Sequence, residues 1–174
     1  DIPLQFQQQV AIQYQARSDS GDTPALLQAM QNYQFRNENS ERIRAIIQTA
    51  QQQGLPTTPL QNKVYEGMAK RIQQENIVQA VMRVQARYEL AYRQAATLTG
   101  DRRQAAQLGD IIAQAYTAGL QQRDCLQIMS QLQMRARSMD QEAAFQLMVQ
   151  TMATARVMAR RGVSTTTVSE VLVN

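Results

Sequence analysis

The 174-residue chain has no histidine, no tryptophan, one cysteine (Cys125), four prolines and seven glycines. Each scarcity removes a class of chemistry. Without histidine there is no Ser-His-Asp triad, no Cys-His dyad and no histidine-ligated metal site. A lone cysteine closes no intrachain disulfide and builds no thiolate cage. No stretch approaches 18 consecutive apolar residues, so no transmembrane helix is expected. No cofactor is expected either. After Pro59 there is no proline to interrupt a helix.

What is present is helix-forming. The chain holds 30 Gln and 23 Ala, with 44% hydrophobic residues. That hydrophobic share suits a globular fold rather than wholesale disorder. A domain of this length buries about 70% of its unfolded surface, enough to fold without a metal or disulfide. Apolar residues recur at i, i+3, i+4 spacing while strand-like alternation is scarce, so the expectation is an all-α protein of about six to eight helices. The Gln residues never run beyond three, which reads as a neutral helical surface rather than a prion-like tract.

The balance of 18 Lys+Arg against 14 Asp+Glu gives +4 and a pI near 9.6. Sixteen of the cations are Arg. A dedicated nucleic-acid binder adds a clustered positive stripe to such a pI. The chain opens Asp1-Ile2-Pro3-Leu4 without an initiator Met, and the expectation is a removed secretory signal, with a tag on a cytoplasmic protein as the alternative.

Residues 1–22 read as an N-terminal arm, 23–100 as a first helical unit and 101–174 as a second, all within one compact domain. Thr23-Pro24 is a helix start. Ser40 is expected to cap a helix carrying Ile43, Ile46, Ile47 and Ala50 that stops at Gly54. Thr58-Pro59 opens the next, a break follows near Ile72–Glu75, and a long helix runs through Ile77, Val84 and Ala95 to Gly100. Asp101 caps a helix ending at Gly119. Two more cover about 123–137 and 139–161, the second opened by Ser138 with Gln141 as a capping box.

An internal repeat links these elements. Residues 45–55 match residues 110–120 without a gap, pairing Ile46/Ile111, Ile47/Ile112, Ala50/Ala115, Gly54/Gly119 and Leu55/Leu120. Leu60 and Cys125 follow at plus six, Val64 and Met129 at plus ten. A weaker third copy surrounds Gly162, with Val163, Val168 and Leu172. The reading is a recurring corner: a helix ends at a left-handed glycine, an aliphatic residue packs back over the last turn, and a new helix begins.

Gly54-Leu55-Pro56, then Leu60, Lys63, Glu66-Gly67, Ala69-Lys70, Ile77 and Ala80, resembles a pattern in uncharacterised secreted bacterial all-helical proteins with G-[LV]-P corner repeats. It covers about 30 residues, and the second copy departs from it, with no proline after Leu120 and Gln131-Leu132 in place of Glu-Gly. The resemblance implies a secreted or periplasmic helical protein and transfers no catalytic residue.

Candidate chemistry is thin. Glu38 with Glu41, and Asp140 with Glu142, sit at helix starts, where carboxylates favour the macrodipole. Cys125 occupies the position of Leu60 in the repeat, so a buried, unreactive thiol is expected. Phe145, Met148 and Met152 share a helical face and read as core, although Met-rich surfaces also serve as adaptable grooves. Arg83/Arg87 and Arg156/Arg160 each stack at i, i+4, and Tyr88 and Tyr92 lie beside them. These six are the candidate binding residues, since aromatics next to arginines suit single-stranded nucleic acid. The expected function is a non-catalytic scaffold or protein-interaction module with a protein or peptide partner. Nucleic-acid or anion binding is the alternative, and homo-oligomerisation is compatible with the surface.

Overall fold

The computed structural model describes residues 23–164 and Thr167; the expected N-terminal arm, and Val168 and Leu172 of the third corner, lie outside them. Seven α-helices and no strand occur among the described residues, so the chain is all-α. They are α1 (Thr23–Asn32), α2 (Asn37–Gln52), α3 (Thr58–Ala69), α4 (Gln74–Leu98), α5 (Arg102–Thr117), α6 (Gln122–Ala136) and α7 (Gln141–Arg160). None of them is long and apolar enough to cross a membrane.

Two compact units divide between Ala86 and Arg87, inside α4, whereas the repeat and the helix boundaries place the junction at residues 100/101. The first unit buries Leu26 and Met30 of α1, Ile43 and Ile47 of α2, Leu60 and Val64 of α3, and Ile77, Val78 and Val81 of α4. In the second, α7 lies closest to α5 and also packs on α6. Its core holds Leu108, Ile112, Ile128, Phe145, Met148 and Met152.

Helix ends follow one chemistry. The backbone N–H of Leu55 donates to the Ala50 carbonyl at 2.8 Å, and that of Gly54 to Gln51 at 3.0 Å. Leu120 donates to Ala115 and Gly119 to Tyr116, at 3.0 and 3.1 Å, and Val163 and Gly162 repeat the pattern on Met158 and Ala159. These paired bonds are the Schellman motif, which satisfies the orphan carbonyls of a helix C-terminus. Gly54, Gly119 and Gly162 all have left-handed φ, at 72°, 109° and 76°. The expected glycine corners are therefore present in conformation.

Two further corners carry no glycine. Gln34 (φ 60°) ends α1 and Arg71 (φ 53°) ends α3, with Phe35 donating to Met30 and Ile72 to Gly67. A left-handed non-glycine residue costs about 1–2 kcal/mol.

Several helix starts differ from expectation. Helix α2 begins at Asn37, not after Ser40; the N-cap residue Arg36 makes no side-chain cap bond, and its N–H is met instead by Gln74 Oε1 at 2.8 Å. Helix α7 is capped by Asp140, whose Oδ1 accepts from the Ala143 N–H at 2.9 Å. Ser138 turns back to the Arg135 carbonyl. Asp101 caps α5 as expected, accepting from Arg103 and Gln104 at 2.8 and 2.9 Å. Gly100 precedes that cap without a left-handed φ.

The two glycines inside helices serve packing. A Cβ on Gly67 would lie 2.6 Å from Ile77 Cγ1, and one on Gly109 would lie 2.5 Å from the Tyr92 ring. Each lets a neighbouring helix approach more closely than an alanine would allow.

Candidate functional site

The second unit contains most of the residues singled out by sequence. Tyr88 is buried, and its ring centroid lies 6.3 Å from that of Tyr92. Tyr92 donates its hydroxyl to Asp110 Oδ1 at 2.8 Å. Burial first, then the bond to Asp110, pushes the Tyr92 phenol far above its ordinary range. Burial also raises the Asp110 carboxyl, partly offset by the Tyr92 hydrogen bond. Tyr116 donates to Gln94 Oε1 at 2.6 Å. The buried Cys125 thiol is pushed up to about 11, chiefly by desolvation, which leaves almost no thiolate near neutral pH.

Two of the candidate arginines converge on the last turn of α5. Arg87 donates to Thr117 Oγ1 at 3.0 Å, and Arg156 donates to Gln114 Oε1. Positions 114 and 117 share one helix face. Helix α5 has no cation of its own in its last turn, so α4 and α7 supply the positive charge that its C-terminal dipole favours. Arg83 lies across the unit boundary on an exposed part of α4, and Arg160 is exposed near the end of α7. Of the six candidates, Arg87 and Arg156 are engaged by α5, Tyr88 and Tyr92 pack against each other, and Arg83 and Arg160 are exposed.

The resemblance motif has a packing account. Glu66 pairs with Lys63 at 2.5 Å and Lys70 at 2.6 Å. The hydrogen bonds from these lysines hold its carboxyl below the ordinary range. Gly67 receives Ile77, so the glycine and the later isoleucine of the motif belong to one α3–α4 contact, while Glu66 pairs within its own helix end.

The first unit holds a feature that sequence reading missed. A surface cavity of about 500 Å³ is lined by Tyr33, Arg36, Ile72, Gln73, Gln74 and Glu75. It sits where the two glycine-free corners meet. The Gln74 amide bridges them: Nε2 donates to the Gln34 carbonyl at 3.1 Å, while Oε1 accepts the Arg36 N–H. Asn39, itself buried, donates to Gln74 Oε1 and Glu75 Oε1 at 3.4 and 3.3 Å. Arg36 forms an ion pair with Glu75. Ile72, which follows the left-handed Arg71, is 42% exposed, whereas Phe35, Leu55 and Leu120 at the same place in their corners are buried. The only sequence signal was the break at 72–75.

Comparison with known proteins finds no matching family model, no matching curated protein and no matching solved structure. Among the described residues, no group of three His, Cys, Asp or Glu side chains is placed to hold a metal ion.

Proposed function

We propose that the chain is a non-catalytic helical scaffold that works by contact with another protein chain. The corner cavity carries this reading. An open surface hollow lined by Tyr33 and Ile72 beside fixed polar groups offers apolar and polar contacts together. In the second unit, Tyr92 bonds to Asp110 and Tyr116 bonds to Gln94, which is the behaviour of rigidifying polar contacts.

The scaffold is read as two copies of a three-helix unit, α2–α4 and α5–α7. Helices α2 and α5 both have 16 residues. Ile43/Leu108, Ile47/Ile112, Ala50/Ala115, Leu55/Leu120, Leu60/Cys125 and Val64/Met129 are buried pair by pair. Both third helices open with Gln-Glu, at Gln74-Glu75 and Gln141-Glu142. Two residues before each lies an exposed apolar side chain, Ile72 or Met139.

The resemblance to secreted bacterial helical proteins supports a location in the periplasm or outside the cell. Fractionation of a cell making the native gene product checks it, and recovery only with cytoplasmic markers contradicts it.

A photoreactive amino acid at Gln73 in the full-length chain tests the contact itself. The expected result is a discrete protein adduct that disappears when Ile72 is changed to Asp. Absence of any adduct contradicts the reading.

A further inference from the structure

We propose that Arg87 and Arg156 form a phosphate site on the flank of the last turn of α5, taking inorganic phosphate or the terminal phosphate of a small monoester. The site lies within the second unit and is independent of the protein-contact reading above.

These two side chains stand apart from the other arginines. Among the described residues they are the two arginines that are half-buried rather than exposed. Arg36, Lys63, Lys70 and Arg123 each pair with a carboxylate. Arg87 and Arg156 have no such partner among the described residues. They rest on neutral oxygens, Arg87 on Thr117 Oγ1 at 3.0 Å and Arg156 on Gln114 Oε1. Withdrawing a cation from water without a counter-ion is unfavourable, so an anion from solution gains more here than at a freely hydrated arginine. A guanidinium carries five N–H donors, and the bond to α5 leaves donors on each for a ligand.

The fold brings the pair together. Gln114 and Thr117 are three positions apart on α5, which sets their Cβ atoms about 5–6 Å apart on one face. Guanidiniums bound to those side chains, one reaching from α4 and one from α7, therefore flank a single patch. Thr117 is exposed, so the patch opens to solvent, and the exposed Arg160 stands one turn beyond Arg156 on α7. Asp110, one turn before Gln114, has its Oδ1 occupied by Tyr92. Glu89 follows Arg87 by two positions and so faces another side of α4. The carbonyl end of α5 disfavours an anion on the helix axis, which puts the ligand beside the last turn rather than beyond it.

The chemistry selects a phosphate with three terminal oxygens. Guanidinium forks take carboxylate or phosphate oxygens in pairs. Two forks arriving from different helices ask for more than the two free oxygens of a carboxylate or a phosphodiester. Two uncompensated charges also match a dianion. The same count excludes a nucleic-acid backbone as the ligand.

NMR of the arginine Nε–Hε groups in the full-length chain tests the site, at constant ionic strength and near-neutral pH, where a phosphate monoester is mostly dianionic. Inorganic phosphate and methyl phosphate are the probes, with chloride and acetate as controls. The Arg87 and Arg156 resonances are expected to shift saturably with both phosphates and to hold with the controls. Arg103, about 21 Å from Thr117 along α5, is expected to hold throughout. Arg87→Gln and Arg156→Gln are each expected to weaken phosphate binding about tenfold or more, the loss of a charge-assisted bond. Arg103→Gln makes the same change in net charge and is expected to bind as wild type. Should either Gln variant melt lower by circular dichroism, the Lys variant replaces it; lysine keeps the charge without the fork, and weaker binding is again expected. Resonances that follow chloride or acetate as they follow phosphate, shifts that do not saturate, or variants that bind as wild type overturn the proposal. Variants that lose stability while wild type shows no phosphate-dependent shift also overturn it, since the arginines then only complement the α5 dipole. Methyl phosphate binding at least as tightly as inorganic phosphate assigns a monoester, tighter inorganic phosphate assigns the free ion, and either supports the site.

Discussion

The α3–α4 and α6–α7 connections occupy the same place in successive three-helix segments but are held in different ways. At the first, Arg71 adopts a left-handed conformation and Gln74 reaches across to the α1–α2 corner, accepting from Arg36 and donating to the Gln34 carbonyl. At the second, Ser138 bonds back to Arg135 and Asp140 caps α7. The loop before α5, the counterpart in element order of the α1–α2 connection, is closed by its own Thr99, Gln104 and Asp101 and by Gln133 bonding to the Thr97 carbonyl. One corner is thus stabilised by a residue 38–40 positions away in sequence, the other mainly by local capping. The long-range clamp ties the two left-handed corners together beside the surface hollow. Local capping leaves an exposed turn carrying Met139.

The comparison breaks most severely at the helix contact beneath the first connection. Gly67→Val places side-chain atoms where Ile77 already lies, and the expected loss is about 2–3 kcal/mol by urea unfolding. The loss exceeds the helix-propensity gain of replacing glycine, about 1 kcal/mol at most. A neutral result would mean that α4 is not seated on α3 as described.

The clamp itself is next. Gln74→Ala removes an acceptor for the Arg36 N–H and a donor to Gln34, for an expected loss of about 1–2 kcal/mol. Gln141→Ala, at the equivalent exposed position, is expected to lie within about 0.5 kcal/mol of wild type. Equal losses at the two sites would erase the distinction between the connections.

Arg71→Gly relieves the left-handed strain and is expected to stabilise by about 0.5–1 kcal/mol. Gly54→Ala at a glycine corner is expected to destabilise by about 1 kcal/mol. Paired thermal melts check both signs.

The smallest effect is a pH slope. Asp110 titrates above its ordinary value of 3.8 in the folded chain. Its contribution therefore favours the fold below that value and is lost as pH rises through the folded pKa. Asn in its place still accepts from Tyr92 and carries no charge. Asp110→Asn is expected to gain stability relative to wild type as pH rises upward from 3.8, and a constant difference across that window would contradict the burial of Asp110.

Much of the fold was legible because capping chemistry is local. Gly54, Gly119 and Gly162 end helices where apolar periodicity stops, Asp101 stands one residue before a helix, and Cys125 falls on a buried stripe. The corners at Gln34 and Arg71 were not legible, because neither residue advertises a left-handed conformation; tertiary contacts impose it. Ser40 and Ser138 were plausible caps that lost to Arg36, served by Gln74, and to Asp140. The candidate site was less legible still. Arg87, Arg156, Tyr88 and Tyr92 were visible as a helical pattern, but their partners Thr117, Gln114 and Asp110 lie 18–42 residues away. The cavity arises from two turns separated by nearly forty residues, and sequence spacing contains no signal for it. With both tyrosines packed and only Arg83 and Arg160 of the four arginines exposed, no gel retardation of single-stranded nucleic acid is expected at physiological salt.

Amide hydrogen exchange in the unmodified chain tests the long-range clamp most directly, because the Arg36 N–H donates to Gln74 Oε1. That amide is predicted to exchange slowly and to lose its protection in Gln74→Ala. An Arg36 amide that exchanges freely in the unmodified chain, or one equally protected in the variant, would contradict the account.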